Sequence, residues 1–214
     1  MNIEISYKDY QFIPAKIESS NLVIALHGRG DTYFGMRRIR HKLKLDSMNY
    51  LLLNAPDPWT TETGFEGRSW YARPPYHEEG LERSLQIVDQ LTSELNSQGI
   101  TQIYLVGFSQ GSVLGLEYII QYPDKIKGFF GMSGAIFRQE KLLKMAKNNT
   151  CNVCLTHGYQ DTLLSALEYQ KLASPLLKFF EESSIEIWDK GHIMDSKDMN
   201  LLKLHIQKVF SLIE

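Results

Sequence analysis

The chain has only two cysteines in 214 residues, too few for a disulfide framework. They stand as Cys151-Asn152-Val153-Cys154, the spacing of a redox pair. A redox thiol needs a helix N-terminus to lower its pKa, whereas this pair leads into the apolar run Val153-Cys154-Leu155-Thr156. The cysteines therefore read as reduced thiols of the core and a strand edge. No apolar stretch approaches the roughly 20 residues of a bilayer-spanning helix. Residues 1 to 12 have no basic segment followed by an apolar one, so neither a secretory signal nor stable membrane insertion is expected. The expectation is a soluble, cytoplasmic protein. Charge of neither sign dominates: the net charge of -2 gives no footprint for nucleic acid. The basic run Arg37, Arg38, Arg40, Lys42 and Lys44 is expected on the solvated face of a helix between Asp31 and Asp46. Paired helical spacing is missing among the histidines, and so is a Gly-x-Gly-x-x-Gly loop, of which Gly28-Arg29-Gly30 is only half. Neither a metal nor a cofactor is expected.

What is present is a hydrophobic content of 43%, enough for one sizeable core and most simply a single domain, 1–214. Residues 3 to 7 and 11 to 17 alternate apolar and polar side chains and predict an antiparallel pair at a sheet edge. Leu22-Val23-Ile24-Ala25-Leu26 is continuously apolar, as in a strand covered on both faces. It ends in His27-Gly28-Arg29-Gly30-Asp31-Thr32, a turn with N-cap residues before a helical segment. Tyr50 to Leu53 is a second buried strand. From Asp57 to Tyr76, prolines and glycines interleave with Trp59, Phe65, Trp70, Tyr71 and Tyr76, in a loop whose aromatics either wall a binding site or pin the loop to the body. Helical periodicity returns at Leu81, Leu85, Val88, Leu91 and Leu95, stopped by Gly99. Further strands are expected over 103–106, 126–132, 151–156 and 184–188. The intervening helices are expected over 136–147 and 164–180, the latter broken at Ser174-Pro175, and the closing helix buries Leu202, Ile206, Val209 and Ile213. This alternation predicts an α/β fold, a mostly parallel sheet with helices on both faces, whose ligands bind beyond the carboxyl ends of the strands.

The stretch with chemistry in it is Gly107-Phe108-Ser109-Gln110-Gly111, between the strand Ile103-Tyr104-Leu105-Val106 and the apolar run 113–120. Gly-x-Ser-x-Gly at a strand-to-helix turn is a nucleophile elbow, with glycines where side chains would crowd a sharply exposed serine. The five-residue pattern arises by chance in roughly one chain in fifteen of this length, so the remaining parts of a site have to be present too. A serine hydroxyl needs a base to take its proton and an acid to orient that base. Downstream, Asp161 and His192 follow two later strands, in the order Ser, Asp, His. Asp189 and Asp195 compete as the acid, but Asp161 comes from a separate strand end and can approach the histidine from behind. His41, His77 and His205 read as surface or packing residues, and His27 and His157 as braces for turn backbone. The oxyanion site requires two backbone N–H groups, assigned to Gln110 and to Arg29 in the turn after the first buried strand. The Arg29 guanidinium is expected either in solvent or against an anionic substrate. Trp70, Leu163 and Ile193, adjacent to these turns, are the candidate substrate-binding residues.

Leu26-His27-Gly28-Arg29-Gly30-Asp31-Thr32, Arg68-Ser69-Trp70-Tyr71, the elbow, His157-Gly158-Tyr159-Gln160-Asp161 and Gly191-His192 together resemble the acyl-protein thioesterase, phospholipase and carboxylesterase family of α/β hydrolases. The blocks run in that family's order and cover most of the chain. The resemblance implies an α/β-hydrolase fold without a cap domain and a serine esterase with a Ser109, Asp161 and His192 triad. Its substrates would be carboxylic esters or thioesters, on small molecules, acylated proteins or lipids. It leaves room for long-acyl thioesterase or lysophospholipase activity, for acyl transfer and for a homodimer; a non-catalytic binding protein has no need of the triad. The family commonly carries leucine at the position of Arg29 and a second glycine at that of Ser112, and Thr162-Leu163-Leu164 lacks its valine-proline turn. The departures at Arg29 and Ser112 imply a more polar mouth.

Overall fold

The computed structural model describes residues 2–60 and 62–212; the expected core residue Ile213 lies outside them. Seven strands form one sheet in the order β1-β3-β2-β6-β7-β8-β9. These are β1 (Tyr10–Ile13), β2 (Asn21–Leu26), β3 (Asn49–Leu53), β6 (Gln102–Phe108), β7 (Gly128–Met132), β8 (Asn152–Gly158) and β9 (Ser183–Trp188). All neighbours are parallel except β1, which pairs antiparallel with β3. Two short strands, β4 (Asp57–Thr60) and β5 (Glu66–Ser69), make a separate antiparallel hairpin. The helices are α1 (Tyr33–Leu43), α2 (Glu78–Ser97), α3 (Gln110–Gln121), α4 (Gln139–Met145), α5 (Ala166–Leu177) and α6 (Ser196–Phe210).

The continuous apolar strands arise because the sheet is covered on both sides. Leu22, Ile24 and Leu26 of β2 pack with leucines of α2 and with Val113 and Leu116 of α3. Val23 and Ala25, pointing the other way, pack with Met36, Ile39 and Leu43 of α1 and Leu202 and Ile206 of α6. The same alternation separates the two cysteines: Cys151 belongs to the first cluster and Cys154 to the second. They are free, buried thiols on opposite faces, and burial pushes Cys154 up to about 11.

Several expectations need correction. Residues 3 to 7 form no strand; their backbone is tied instead to α2, with Glu4 N–H donating to Gln98 Oε1 at 2.9 Å and Ser6 N–H to Glu94 Oε2 at 2.8 Å. Of residues 11 to 17 only the first three join the sheet, against β3. The helix at Ser174-Pro175 does not break. Pro175 sits in the last turn of α5, where it forfeits a single N–H, Ser174 Oγ donates back to the Gln170 carbonyl at 2.6 Å, and the buried Leu176 and Leu177 hold the helical register. The helix expected over 136–147 is shorter, and Ile136 is buried from irregular backbone ahead of α4. Finally, the aromatic loop contains the β4–β5 hairpin.

The chain order positions the site. From β2 the chain adds β3 on one side, then crosses by α2 to place β6 on the other side of β2 and continues outward to β9. The carboxyl ends of β2 and β6 are therefore neighbours from which the chain departs in opposite senses, the crevice where open α/β sheets bind ligands.

Candidate active site

Ser109 stands at the end of β6 and caps α3 with φ 51° and ψ −113°, a left-handed conformation rare for a residue with a Cβ. Its N–H donates to the Met132 carbonyl of β7 at 2.8 Å, which fixes the turn to the sheet. The flanking glycines are required by backbone rather than by the serine side chain. A Cβ on Gly107 would lie 2.3 Å from the Gly111 carbonyl oxygen, and one on Gly111 would lie 2.2 Å from that of Leu26 in β2. The elbow is thus as close to its own helix and to β2 as polypeptide can come.

His192 follows β9 and Asp161 follows β8. His192 Nε2 lies 2.8 Å from Ser109 Oγ, and His192 Nδ1 lies 2.7 Å from Asp161 Oδ2. A carboxylate only accepts, so Nδ1 carries the proton and Nε2 is left to accept the serine O–H. The Asp161 side chain is fully buried while that of His192 keeps 16% exposure toward the cleft. Burial works against the Asp161 charge. The hydrogen bond from His192 and those from the Leu164 and Leu163 amides, each at 2.9 Å, outweigh it and hold the carboxyl below its ordinary value. Asp195, the competing acid, is engaged elsewhere: it caps α6 by accepting from Asp198 N–H and accepts the Trp188 indole N–H at 2.9 Å.

The turn after β2 supplies Arg29 beside the elbow, and Gln110 is the first residue of α3, whose N-terminal amides have no partner within the helix. Gln110 also acts through its side chain, a role the sequence alone does not signal. Its Oε1 accepts Trp70 N–H at 2.8 Å and its Nε2 donates to the Tyr71 carbonyl at 2.6 Å, clamping the aromatic loop to the elbow. The hairpin clamps the other turn. Gly30 N–H donates to the Arg68 carbonyl at 2.8 Å and Arg68 N–H to that of Asp31 at 2.9 Å, an approach so close that a Cβ on Gly67 would sit 2.1 Å from the Gly30 oxygen. His27, buried and neutral, donates from Nδ1 to the Gly28 carbonyl at 2.6 Å and accepts Ala55 N–H at Nε2, 3.0 Å away.

A cleft of about 580 Å³ opens over Ser109, Gln110, His192, Gly28 and Arg29 and is lined further by Trp59, Tyr71, Arg73, Phe108, Val113, Phe137, Leu163 and Leu164. Of the three candidate substrate-binding residues it includes Leu163 alone. Trp70 is fully buried behind the site, with its indole N–H on the His27 carbonyl at 3.0 Å and its ring against the His27 ring, so it pins the loop rather than walls the cleft. Ile193 is exposed and lies outside the lining. The Arg29 guanidinium does not extend freely into solvent: it lies over the Trp59 ring at 5.1 Å and donates to the Tyr71 carbonyl at 3.3 Å. The aromatics of the loop do both jobs foreseen for them, Trp59 and Tyr71 lining the cleft and Trp70 securing the backbone. Trp59, Val113, Phe137 and Arg73 were not separable from neighbouring loop and helix residues by spacing. Among the described residues no cluster of side chains has the makings of a metal site.

A mostly parallel sheet with helices on both faces and a strained serine between strand and helix at the switch point defines an α/β hydrolase. Solved structures agree on the fold: esterase PE8 superposes with a TM-score of 0.82 at 20% identity, over 94% of this chain and 98% of that one. Acyl-protein thioesterase 2 of Zea mays gives 0.80 at 18% identity, over 95% and 99%. The chain belongs to the phospholipase/carboxylesterase family, whose model matches residues 9–210, and it is a serine hydrolase. Among named relatives, acyl-protein thioesterase 1 of Kluyveromyces lactis is 29% identical over 186 aligned residues, which cover 79% of this chain and 78% of that relative.

Proposed function

We propose that the protein hydrolyses carboxylic esters and thioesters through a Ser109–His192–Asp161 triad and an acyl-enzyme. The observation that carries this reading is the unbroken pair of hydrogen bonds, 2.8 and 2.7 Å, from Ser109 Oγ in the cleft through the imidazole to the buried Asp161 carboxylate. Ser109 Oγ attacks the acyl carbonyl carbon as His192 Nε2 takes its proton, and Asp161 stabilises the resulting imidazolium and holds its tautomer. The carbonyl oxygen becomes an oxyanion received by the backbone N–H groups of Arg29 and Gln110, the latter at the positive end of α3. Collapse expels the alcohol or thiol, which leaves with the proton from His192. Water, deprotonated by the same imidazole, then attacks the acyl-enzyme and frees Ser109.

The reading needs no cofactor and treats the 214 residues as one catalytic domain. Its substrates are small esters and thioesters; acylated proteins and lipids fall within the same chemistry, as the name of the fungal relative suggests. The protein works in the cytoplasm. Among the described residues no helix is long and apolar enough to cross a membrane. Short p-nitrophenyl esters and a fluorophosphonate probe test the proposal. Wild type should turn over the esters and take the label, and Ser109→Ala should lose the label and about 10⁵-fold in kcat. Equal turnover by both proteins would reject it.

A further inference from the structure

The cleft carries a charge pattern that ester hydrolysis by itself does not call for. Two guanidinium groups line it, those of Arg29 and Arg73, both held over the ring of Trp59, with Cζ 5.1 and 5.8 Å from its centroid. Neither forms an ion pair among the described residues. The carboxylate that shares the lining, Asp31, is committed to the start of α1, where its Oδ1 accepts the Thr32 N–H at 2.7 Å. Arg29 is half-buried and its Nε is buried without a hydrogen-bond partner among the described residues. Burial, and then the nearby charge of Arg73, hold its pKa below the ordinary value. Two like charges, Arg29 half-buried and Arg73 exposed, are therefore kept together without an ion-pair partner among the described residues, within the cleft of the nucleophile. The indole face offsets part of that repulsion by cation–π attraction and restricts both side chains before anything binds. Much of the remaining lining, including Phe108, Val113, Phe137, Leu163 and Leu164, is apolar.

We infer that the site selects esters or thioesters bearing an anionic group, a carboxylate or phosphate, which is received by Arg29 and Arg73 on the Trp59 platform while the apolar residues take the hydrocarbon part. The inference rests on the hydrolase reading and names its substrate class. A guanidinium presents a planar fork of donors that matches a carboxylate or phosphate in two-point contact, and a substrate anion supplies the counter-charge that the fold itself withholds.

Two matched ester pairs test it, each differing by a methyl cap on a carboxylate. Mono-4-nitrophenyl glutarate against its methyl ester places the charge on the acyl arm; 3-carboxyphenyl butyrate against its methyl ester places it on the leaving group. In wild type kcat/KM for the anionic member should exceed that of its capped partner by about tenfold in at least one pair. Arg73→Gln and Arg29→Gln should each bring that ratio close to one, and because the ratio is taken within each variant, a general loss of activity cancels. Ratios of one or less in both pairs, or a preference surviving in both variants, overturn the inference while leaving the hydrolase intact. Absence of turnover from all four esters, capped members included, counts against the hydrolase reading. In that event calorimetry with monomethyl glutarate decides the anion site separately: heat lost in Arg73→Gln upholds it, and no heat with wild type overturns it.

Discussion

At Ser109 a backbone conformation that costs about 1–3 kcal/mol is maintained because everything around it is fixed. The serine amide is tied to β7, and the glycines at 107 and 111 let helix and strands close to within carbonyl contact. Asp161 is over-determined in the same manner, with Oδ2 facing His192 Nδ1 and Oδ1 accepting two amides. Since Oδ1 is already committed to amide donors, Asp161→Asn should keep its oxygen there and turn its NH₂ toward the imidazole. Nδ1 would then have to accept, the proton would move to Nε2, and the serine would lose its base. The expected result is a fall in kcat of about 10³–10⁴-fold with KM little altered, read from steady-state hydrolysis of a p-nitrophenyl ester. A rise in KM of the same size, with kcat preserved, would contradict this account.

The segment carrying His192 is held from beneath by a buried ion pair. Lys190 Nζ lies 2.8 and 2.6 Å from the two oxygens of Asp198, whose Oδ1 also accepts the Thr156 hydroxyl at 2.6 Å and whose Oδ2 accepts Asp195 N–H at 2.9 Å. β8, the histidine loop and α6 thus meet at one carboxylate. Lys190→Met should leave that carboxylate buried without its counter-ion and destabilise the protein by about 3–5 kcal/mol, whereas adding Asp198→Asn, which keeps the capping oxygen and removes the charge, should restore a large part of the loss. Urea denaturation of the two variants measures this; equal loss in both would show that the charge is not the cause. Nothing in the spacing of Lys190 and Asp198 announces the pair, because it depends on how α6 docks on the sheet. The parallel strands β2, β3, β6 and β7, by contrast, were legible from their apolar runs, since a strand buried on both faces has no other composition available. Ser109, Asp161 and His192 were legible because each lies in the turn that follows an expected strand, in the order Ser, Asp, His. What was not legible depended on distant partners. The 3–7 segment alternates like a strand but finds α2 instead of a neighbouring strand, the β4–β5 hairpin has an intrinsically poor strand sequence in Glu66-Gly67-Arg68-Ser69, and Trp70 differs from Trp59 only in the side of the loop it faces.

Across the whole molecule, the histidines outside the cleft make stability depend on pH. Burial holds His27, His157 and His205 below the ordinary histidine value, His205 at about 4. In the unfolded chain these groups titrate near 6.5, so between roughly pH 6.5 and 4 the unfolded state binds more protons than the folded one. Stability from each neutral histidine is complete above the unfolded pKa and is lost as pH falls toward the folded one. Glu117 and Asp198 lean the other way, because burial raises their pKa, so the total slope does not isolate one group. A single-site comparison does. His205 Nδ1 is hydrogen-bonded to the buried Tyr104 hydroxyl, and glutamine can offer that hydroxyl a partner without titrating. Going from pH 7 to pH 4.5, wild type should lose about 2 kcal/mol more unfolding free energy than His205→Gln, measured by urea denaturation at both pH values. Parallel losses would mean that His205 already accepts its proton in the folded protein, and that the packing between β6 and α6 yields to acid before the histidine is made to resist it.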